Sequence, residues 1–361
     1  MRHVLVTGGA GFIGSNFVHY LLRADPDVRI VNLDALTYAG SLENLKGLSD
    51  PERHIFVEGN IIDRKLLDQI FETHQIDTVV HFAAETHVDR SIFTPGVFVE
   101  TNVVGTFILL EAARKAWLVD KIHPLDKVRF HHVSTDEVFG TLTKEEPPFE
   151  ESTPYAPRSP YAAAKASSDH FVRAYHTTYG LPITISNCSN NYGPRQFPEK
   201  LIPLMILNAV TGKPLPVYGD GMQVRDWLYV DDHCEAIWKV VTQGRVGETY
   251  CIGGDNQPPN IEIVKMICAI LDELQPASQF TPHMQLIKYV QDRPGHDRRY
   301  DIKIEKIGSE LGWEPSYSLE HGMRKTIEWY LENDEWVDAI IKQSDYNTWV
   351  QTNYSQRKDQ L

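Results

Sequence analysis

The chain has 361 residues, which predicts two domains or one enlarged α/β domain with a cap. Acidic residues outnumber lysine plus arginine 49 to 35, and the net charge of −14 argues against nucleic acid as a partner without excluding small anionic ligands. Because the sequence has no run of about 18 apolar residues, no signal-peptide pattern and no metal-like cysteine pairing, we expect a cytoplasmic protein with free thiols and no membrane span.

Short apolar runs alternate with longer amphipathic runs through about the first 190 residues. The predicted strands are 4–6, 29–33, 55–57, 78–82, 128–133 and 183–185, and the predicted helices are 12–22, 64–73, 97–117 and 160–179. Repeated alternation of this kind predicts an α/β fold with a doubly wound parallel sheet that carries helices on both faces.

The pattern of predicted elements changes after about residue 188, where the elements are shorter and turn signals interrupt them. Helical patterns recur at 199–210, 232–243, 260–274 and 319–331. We expect residues 1–187 to form the first domain, with 224–256 returning to it. Residues 188–223 and 257–345 are expected to form a smaller mixed α/β C-terminal lid, and 346–361 a tail.

A glycine-rich turn joins the first predicted strand to the first helix. Gly8, Gly11 and Gly14 have the spacing that allows a tight turn, close approach of the backbone to a pyrophosphate, and close packing of helix on sheet. Asp34 ends the second strand, where a carboxylate accepts hydrogen bonds from ribose hydroxyls and repels a 2′-phosphate. The pattern predicts NAD as cofactor, and the competing interpretation is a glycine-rich turn without one.

Three polar residues end the fifth predicted strand, at the edge where open α/β sheets bind ligands. They are Thr135, Asp136 and Glu137. Tyr161 and Lys165 follow Ser159 and Pro160, which suit the N-cap and first position of a helix, so the two lie on one helix face. A lysine cation there is expected to lower the pKa of the tyrosine, which makes a base for alcohol oxidation.

Several longer motifs carry a family resemblance that runs from residue 1 to about residue 335. They are Leu-Thr-Tyr-Ala-Gly at 36–40, Ala-Ala-Glu-Thr-His-Val-Asp-Arg-Ser at 83–91, Ser-Thr-Asp-Glu-Val at 134–138, Ser-Asn-Asn-Tyr-Gly-Pro at 189–194, Arg-Asp-Trp-Leu-Tyr-Val-Asp at 225–231 and Asp-Arg-Pro-Gly-His at 292–296. With them the chain resembles the extended short-chain dehydrogenase/reductases that act on nucleotide sugars, within the 4,6-dehydratase branch of deoxysugar (rhamnose) biosynthesis. Related epimerases typically have neutral residues in place of Asp136 and Glu137, so the acid pair indicates dehydration.

The resemblance implies a lyase that converts dTDP-glucose to a 4-keto-6-deoxy sugar and water. In this mechanism Tyr161 takes the proton of the C4 hydroxyl while hydride passes to NAD, and Thr135 holds the developing ketone oxygen. Glu137 then removes the C5 proton, protonated Asp136 donates to the leaving C6 hydroxyl, and hydride returns to C6. Two neighbouring carboxyls push their pKa values apart, which suits opposite protonation.

The resemblance also implies a Rossmann-type NAD-binding domain, whose residues are Gly8, Gly11, Phe12, Ile13, Gly14, Asp34, Ala35, Leu36, Thr37, Asn60, Ile61, Phe82, Ala83, Ala84, Thr101, Tyr161, Lys165 and Asn191. Two positions depart from the family pattern. Asn60 replaces the usual aspartate near the adenine, where its amide oxygen still accepts from adenine N6. Phe139 replaces a tyrosine to which we assign no catalytic role.

The substrate residues that the resemblance implies lie mostly in the predicted lid. They are Thr86, Thr135, Asn190, Lys200, Leu201, Pro216, Val217, Tyr218, Arg225, Asn260, Asp292, Arg293, Pro294, Gly295 and His296. Lys200, Arg225 and Arg293 supply cations for a diphosphate. The histidines form no ligand spacing with acids, so we expect no metal.

Three alternatives stay open. The substrate could be another nucleotide sugar such as UDP-glucose, or the enzyme could be a UDP-glucuronate decarboxylase or a 4-epimerase. A non-catalytic NAD-sensing module on the same fold is the alternative from a different class. The helices at 97–117 and 160–179 carry more apolar residues than one buried face requires, and in related enzymes such a pair forms a four-helix bundle, so we expect a homodimer.

Overall fold

The computed structural model describes residues 1–292 and 296–343, and its first half alternates strands and helices. The strands are β1 His3–Thr7, β2 Arg29–Asp34, β3 His54–Glu58, β4 Thr78–His81, β5 Arg129–Thr135 and β6 Ile183–Cys188. The helices are α1 Phe12–Ala24, α2 Arg64–His74, α3 Val88–Phe93, α4 Pro95–Phe98, α5 Thr106–Arg114 and α6 Pro160–Tyr179. These elements match the predicted ones with ends that differ by a few residues, apart from the region around α3 to α5.

The second half has shorter strands among its helices. The strands are β7 Asn190–Tyr192, β8 Leu215–Tyr218, β9 Trp227–Tyr229, β10 Thr249–Ile252 and β11 Ile287–Val290. The helices are α7 Leu201–Val210, α8 Val230–Gln243, α9 Asn260–Leu274, α10 Glu305–Leu311, α11 Leu319–Glu332 and α12 Asp334–Gln343. None of these strands is predicted from the sequence, because three or four residues are too few to show a strand periodicity.

Seven parallel strands form the central sheet in the order β10-β6-β5-β4-β1-β2-β3. β1, β2 and β3 follow one another toward one edge of the sheet, whereas β4 pairs with the opposite side of β1. The carboxyl ends of β1 and β4 therefore border the point where the strand order reverses, which is where open α/β sheets bind ligands. The predicted doubly wound α/β fold is confirmed.

Helices bury both faces of this sheet. On one face Phe17 and Leu21 of α1 pack with Ile237 of α8, and on the other Phe71 of α2 packs with Leu109 of α5. A separate apolar cluster joins α7, α9 and α11 in the second half. β10 pairs with β6 at the edge of the central sheet. The chain therefore returns to the central sheet after it has formed part of the apolar cluster of the second half.

The helix predicted at 97–117 is one continuous helical stretch, Pro95–Val119, that includes α4 and α5. π-helical turns occupy Val99–Gly105 and Lys115–Val119. By length and composition this stretch is apolar enough to cross a membrane, which the sequence analysis did not expect, but core helices of soluble proteins pass the same test. Leu109 and Leu110 are fully buried in the core, whereas Val99 and Phe107 are exposed.

Candidate active site

The turn between β1 and α1 is possible only with glycines at two of the predicted positions. Gly8 has a φ of +74°, and a Cβ there would lie 2.6 Å from the Ala83 nitrogen. A Cβ on Gly14 would lie 2.2 Å from the Gly8 oxygen. The helix therefore starts against the strand, and its first amides border an open cavity into which a pyrophosphate fits.

Asp34 ends β2 beside this turn. Its Oδ2 accepts a hydrogen bond from the Ala10 amide and its Oδ1 one from the Leu36 amide, both at 2.8 Å. Burial raises the pKa of the Asp34 carboxyl, and the two amides oppose that effect. The carboxylate thus holds the loop after β2 in place, with Leu36 in the left-handed region at φ +49°.

A cavity of about 310 Å³ extends from the glycine turn along the carboxyl ends of the strands. This volume is in the range of small-molecule sites. The predicted residues on its wall are Gly8, Gly11, Phe12, Ile13, Gly14, Asp34, Ala35, Thr37, Asn60, Ile61, Phe82, Ala83, Ala84, Thr86, Thr101, Thr135, Glu137, Tyr161, Lys165, Asn190, Asn191 and Lys200. The tertiary structure therefore brings together nearly the whole predicted cofactor set with four of the five predicted catalytic residues.

The other predicted residues lie off this wall. Those within the described ranges are Leu36, Asp136, Leu201, Pro216, Val217, Tyr218, Arg225, Asn260, Asp292 and His296. His296 links some of them, since its Nδ1 lies 2.6 Å from Asp292 Oδ1 and its ring contacts Tyr218 at 6.1 Å between centroids. Arg293, Pro294 and Gly295 lie outside the described residues.

Arg225 is buried under the second half of the chain. Its guanidinium donates to the carbonyls of Val224 at 2.7 Å and Asp297 at 2.8 Å, and it lies 4.2 Å from the centre of the Tyr300 ring. Its charge also lowers the pKa of Asp136, so the arginine lies near the acid pair. Its binding of a diphosphate, expected from the sequence, stays a prediction.

Tyr161 and Lys165 begin α6 as the sequence analysis expected. The Ser159 hydroxyl accepts from the Ala162 amide at 3.1 Å, and Pro160 occupies the first turn. Lys165 Nζ donates to the carbonyl of Val133 at 2.8 Å, which ties the lysine to β5.

The pKa of Tyr161 is raised in the structure, and not lowered as expected from the sequence. Burial and then the charge of Glu137 raise the pKa of Tyr161 well above its ordinary value, while a hydrogen bond with Thr135 opposes them. The cation four residues away can be predicted from the sequence, whereas the desolvation of the phenol is imposed by the fold.

Asp136 and Glu137 lie in a 3₁₀ turn, Asp136–Phe139, directly after β5. Thr135 organises the turn, since its hydroxyl donates to Asp136 Oδ1 at 3.3 Å and accepts from the Glu137 amide at 3.3 Å. Asp136 Oδ2 is buried and has no hydrogen-bond partner within the described part of the chain. Burial, Glu137 and Asp226 raise the pKa of Asp136 well above its usual range, which favours the protonated form of this carboxyl group.

Several residues of the cavity wall were not predicted from the sequence. Glu199 is buried there, with Arg90 Nη2 at 3.3 Å and His87 Nε2 at 3.7 Å. Tyr38 lies under the Arg90 guanidinium at 4.0 Å. The signal was present, because Tyr38 and Arg90 belong to quoted motifs and Glu199 precedes Lys200, but only the fold brings the three together.

No group of three or more His, Cys, Asp or Glu side chains in residues 1–292 and 296–343 has the arrangement of a metal site. The histidines of the central strands have other partners. His81 contacts the hydroxyls of Thr7 and Thr106, and His131 contacts those of Thr184 and Ser186.

Comparison with known proteins identifies the family of this chain. A family model described as GDP-mannose 4,6 dehydratase matches residues 5–326. The chain is 54% identical over 363 residues to dTDP-glucose 4,6-dehydratase 1 of Escherichia coli K12, covering 98% of this chain and 99% of that protein.

Two solved structures extend the similarity to three dimensions. The dTDP-glucose 4,6-dehydratase of Bacillus anthracis in complex with NAD has a TM-score of 0.82 at 47% identity, covering 94% of this chain and 100% of that one. DesIV of Streptomyces venezuelae, a dTDP-glucose 4,6-dehydratase with NAD and dTDP bound, has a TM-score of 0.84 at 46% identity and the same coverage. The likeness therefore includes both halves of the chain.

Proposed function

The chain belongs to the GDP-mannose 4,6-dehydratase family, and from that premise we propose that it converts dTDP-glucose to dTDP-4-keto-6-deoxyglucose and water. The observation that carries the proposal is the pair Asp136 and Glu137 at the end of β5, beside Tyr161 and Thr135. An acid that retains its proton next to a second carboxyl group is what the elimination of water requires.

NAD fits the cavity that begins at the glycine turn. Gly8 and Gly14 leave no room for side chains between strand and helix, and the Asp34 carboxylate lies at the end of β2 where a ribose would be held. Bound there, NAD accepts a hydride from C4 of the sugar and supplies one to C6. Asn60, Thr101 and Asn191 on the wall complete the set proposed to bind it.

The chain's own residues move the protons. Tyr161 takes the proton of the C4 hydroxyl, and Thr135 holds the C4 oxygen as it becomes a ketone. Glu137 then removes the C5 proton, which the ketone acidifies. Asp136 gives its proton to the C6 hydroxyl, so that water leaves, and C5 takes up a proton again when hydride returns to C6. The raised pKa of Asp136, due first to burial, supports its assignment as the acid.

We propose that residues 1–187 with 224–256 bind NAD, and that residues 188–223 with 257–345 bind the nucleotide sugar. Thr86, Asn190 and Lys200 on the cavity wall are the proposed contacts nearest the reacting carbons. The cluster of Tyr218, Asn260, Asp292 and His296 is proposed to hold the nucleotide.

We further propose a cytoplasmic homodimer. All four cysteines are buried free thiols, which suits a reducing compartment. Val99, Val104, Phe107 and Phe171 expose apolar surface on the neighbouring helices around α5 and α6, where a second copy would cover it. Light scattering at micromolar concentration should give twice the chain mass, and a monomer would contradict this assignment.

The function is tested by incubating the pure protein with dTDP-glucose and, separately, with UDP-glucose. We expect the alkali-sensitive absorbance of a 4-keto-6-deoxy product with dTDP-glucose, and a lower kcat/KM with UDP-glucose because one thymine methyl contributes about 1–3 kcal/mol. Product from neither substrate would contradict the dehydratase activity. Equal rates would contradict the thymidine preference alone.

A further inference from the structure

A third ionisable residue continues the row formed by Tyr161 and Lys165. Asp169 follows Lys165 by four positions on α6, as Lys165 follows Tyr161, so the three lie along one side of the helix. That side faces the sheet, and Asp169 has no exposed surface. A carboxylate this deeply buried is stable only when hydrogen bonds or an opposite charge compensate it.

The hydrogen bonds to Asp169 come from two strands and from the loop that precedes α6. Its Oδ2 accepts from the Ser134 hydroxyl at 2.8 Å, from the Tyr155 hydroxyl at 2.7 Å, and from Asn187 Nδ2 at 3.4 Å. Its Oδ1 lies 3.1 Å from His132 Nε2. Ser134 and His132 belong to β5, which ends at the proposed catalytic turn.

His132 lies between Asp169 and Lys165. Its Nε2 is 3.5 Å from Lys165 Nζ, in addition to its contact with the carboxylate. Burial and then Lys165 lower the pKa of His132 to about 4, so the ring is neutral at pH 7. Burial raises the pKa of Asp169, but hydrogen bonding from His132, the charge of Lys165 and hydrogen bonding from Tyr155 lower it below its ordinary value.

Lys165 and Asp169 are therefore the two groups of opposite charge type that flank the His132 ring. Burial lowers the pKa of Lys165, and the Asp169 charge is the first influence that opposes it. Cys188 faces the lysine from β6, but burial raises the pKa of its thiol to about 12, so it is neutral. His81 of β4, whose pKa is lowered by burial, also faces Lys165. The Arg173 guanidinium donates to the Tyr155 hydroxyl at 2.9 Å, and Tyr155 in turn contacts the Asp169 carboxylate.

We propose that Asp169 is a positioning residue for the reaction, the buried counter-ion that keeps Lys165 charged and aligned behind Tyr161. The inference rests on the proposed function, which gives Tyr161 and Lys165 their part in C4 oxidation. Without the carboxylate, burial dominates and Lys165 gives up its proton at a lower pH. A neutral lysine attracts the developing tyrosine phenolate less strongly, so proton removal from the sugar slows.

The test compares Asp169→Asn with the wild type in two measurements. Wild-type turnover of dTDP-glucose is measured first, and its absence would contradict the proposed function and this inference together. With turnover established, we expect Asp169→Asn to lower kcat by about tenfold or more while KM changes by less than about threefold. By ¹³C NMR of labelled lysine, with the Lys165 signal assigned from Lys165→Arg, its pKa should fall by about one unit.

A buried aspartate far from the site supplies the matched control. Asp77 accepts from the Arg2 amide at 2.7 Å and from the Thr78 hydroxyl at 2.6 Å, at the amino ends of the strands. Asp77→Asn should destabilise the fold and leave both the Lys165 pKa and kcat unchanged. An unchanged Lys165 pKa in Asp169→Asn, whatever happens to kcat, would overturn the inference.

If Asp169→Asn does not fold, the variant Tyr155→Phe tests the proposed role of Asp169 instead. This variant keeps the carboxylate and removes one hydrogen-bond donor, so Asp169 takes up a proton more easily. We expect kcat to fall more at about pH 5 than at about pH 8. A loss by the same factor at every pH would overturn the inference.

Discussion

The Thr135 hydroxyl donates to Asp136 Oδ1 over 3.3 Å, and the other oxygen of that carboxyl, Oδ2, is buried without a partner among the described residues. An ionised carboxylate with one unsatisfied buried oxygen is costly, so the carboxyl keeps its proton. The proton is then available for donation. This geometry distinguishes Asp136 from Glu137, which lies on the cavity wall.

Asp136→Asn should lower kcat by about 10²- to 10⁴-fold, because an amide does not protonate the leaving hydroxyl. Oxidation at C4 precedes that step, so bound NADH should accumulate when dTDP-glucose is added. Stopped-flow absorbance of NADH with product analysis checks both. Elimination at the wild-type rate would remove Asp136 from the acid role.

Glu137→Gln should block elimination and leave reduction of bound NAD intact, because the C5 proton is removed only after C4 is oxidised. The same absorbance measurement applies, with deuterium exchange at C5 as a second readout. Glu145→Gln, at an exposed glutamate, is the control and should behave as wild type. Loss of both steps with NAD still bound would contradict the assignment of Glu137.

Asp34→Asn should weaken the preference for NAD over NADP. The amide oxygen still accepts one backbone hydrogen bond, but the charge that repels a 2′-phosphate is gone. We expect NAD to bind about tenfold more weakly and NADP to bind measurably, by calorimetric titration of both. An unchanged preference for NAD over NADP would limit the role of Asp34 to holding the loop after β2 in place.

Gly14→Ala should destabilise the fold by about 1–3 kcal/mol, because its Cβ would lie 2.2 Å from the Gly8 oxygen. Gly96→Ala is the matched control, since a Cβ there meets nothing within 4 Å. It should be neutral or stabilising by up to about 1 kcal/mol. Urea unfolding of both variants measures the difference, and equal stabilities would contradict the close contact.

Asp226 should make stability depend on pH. Burial raises its pKa to about 7, although the amides of Asn256 and Gly254 oppose the shift. The folded state thus favours the protonated form. The contribution of Asp226 is fully present below about pH 4 and is lost as the pH rises through about 7.

Asp226→Asn cannot ionise, so it should gain stability relative to wild type as the pH rises from about 4 to above 7. The gain should be on the order of 4 kcal/mol, measured as free energy of urea unfolding at several pH values. Parallel pH profiles for wild type and variant would contradict the raised pKa.

Much of this protein follows from local sequence. The glycine spacing, the Ser159 cap and the four-residue interval from Tyr161 to Lys165 depend on contacts within one turn or one helix, so the sequence was sufficient to predict them. Strand and helix alternation was likewise sufficient for the parallel sheet. Strands β7 to β11 were missed, because pairing with distant neighbours, rather than residue pattern, creates strands of three or four residues.

The protonation states depended on the tertiary structure. Lys165 was expected to govern the Tyr161 pKa because the two are neighbours on a helix, but burial and Glu137 dominate it. Asp226 lies 90 residues along the chain from Asp136 and raises its pKa, and the Asp169 charge opposes the lowering of the Lys165 pKa by burial. A pKa is set by desolvation and by charges nearby in space, and folding alone determines which charges those are.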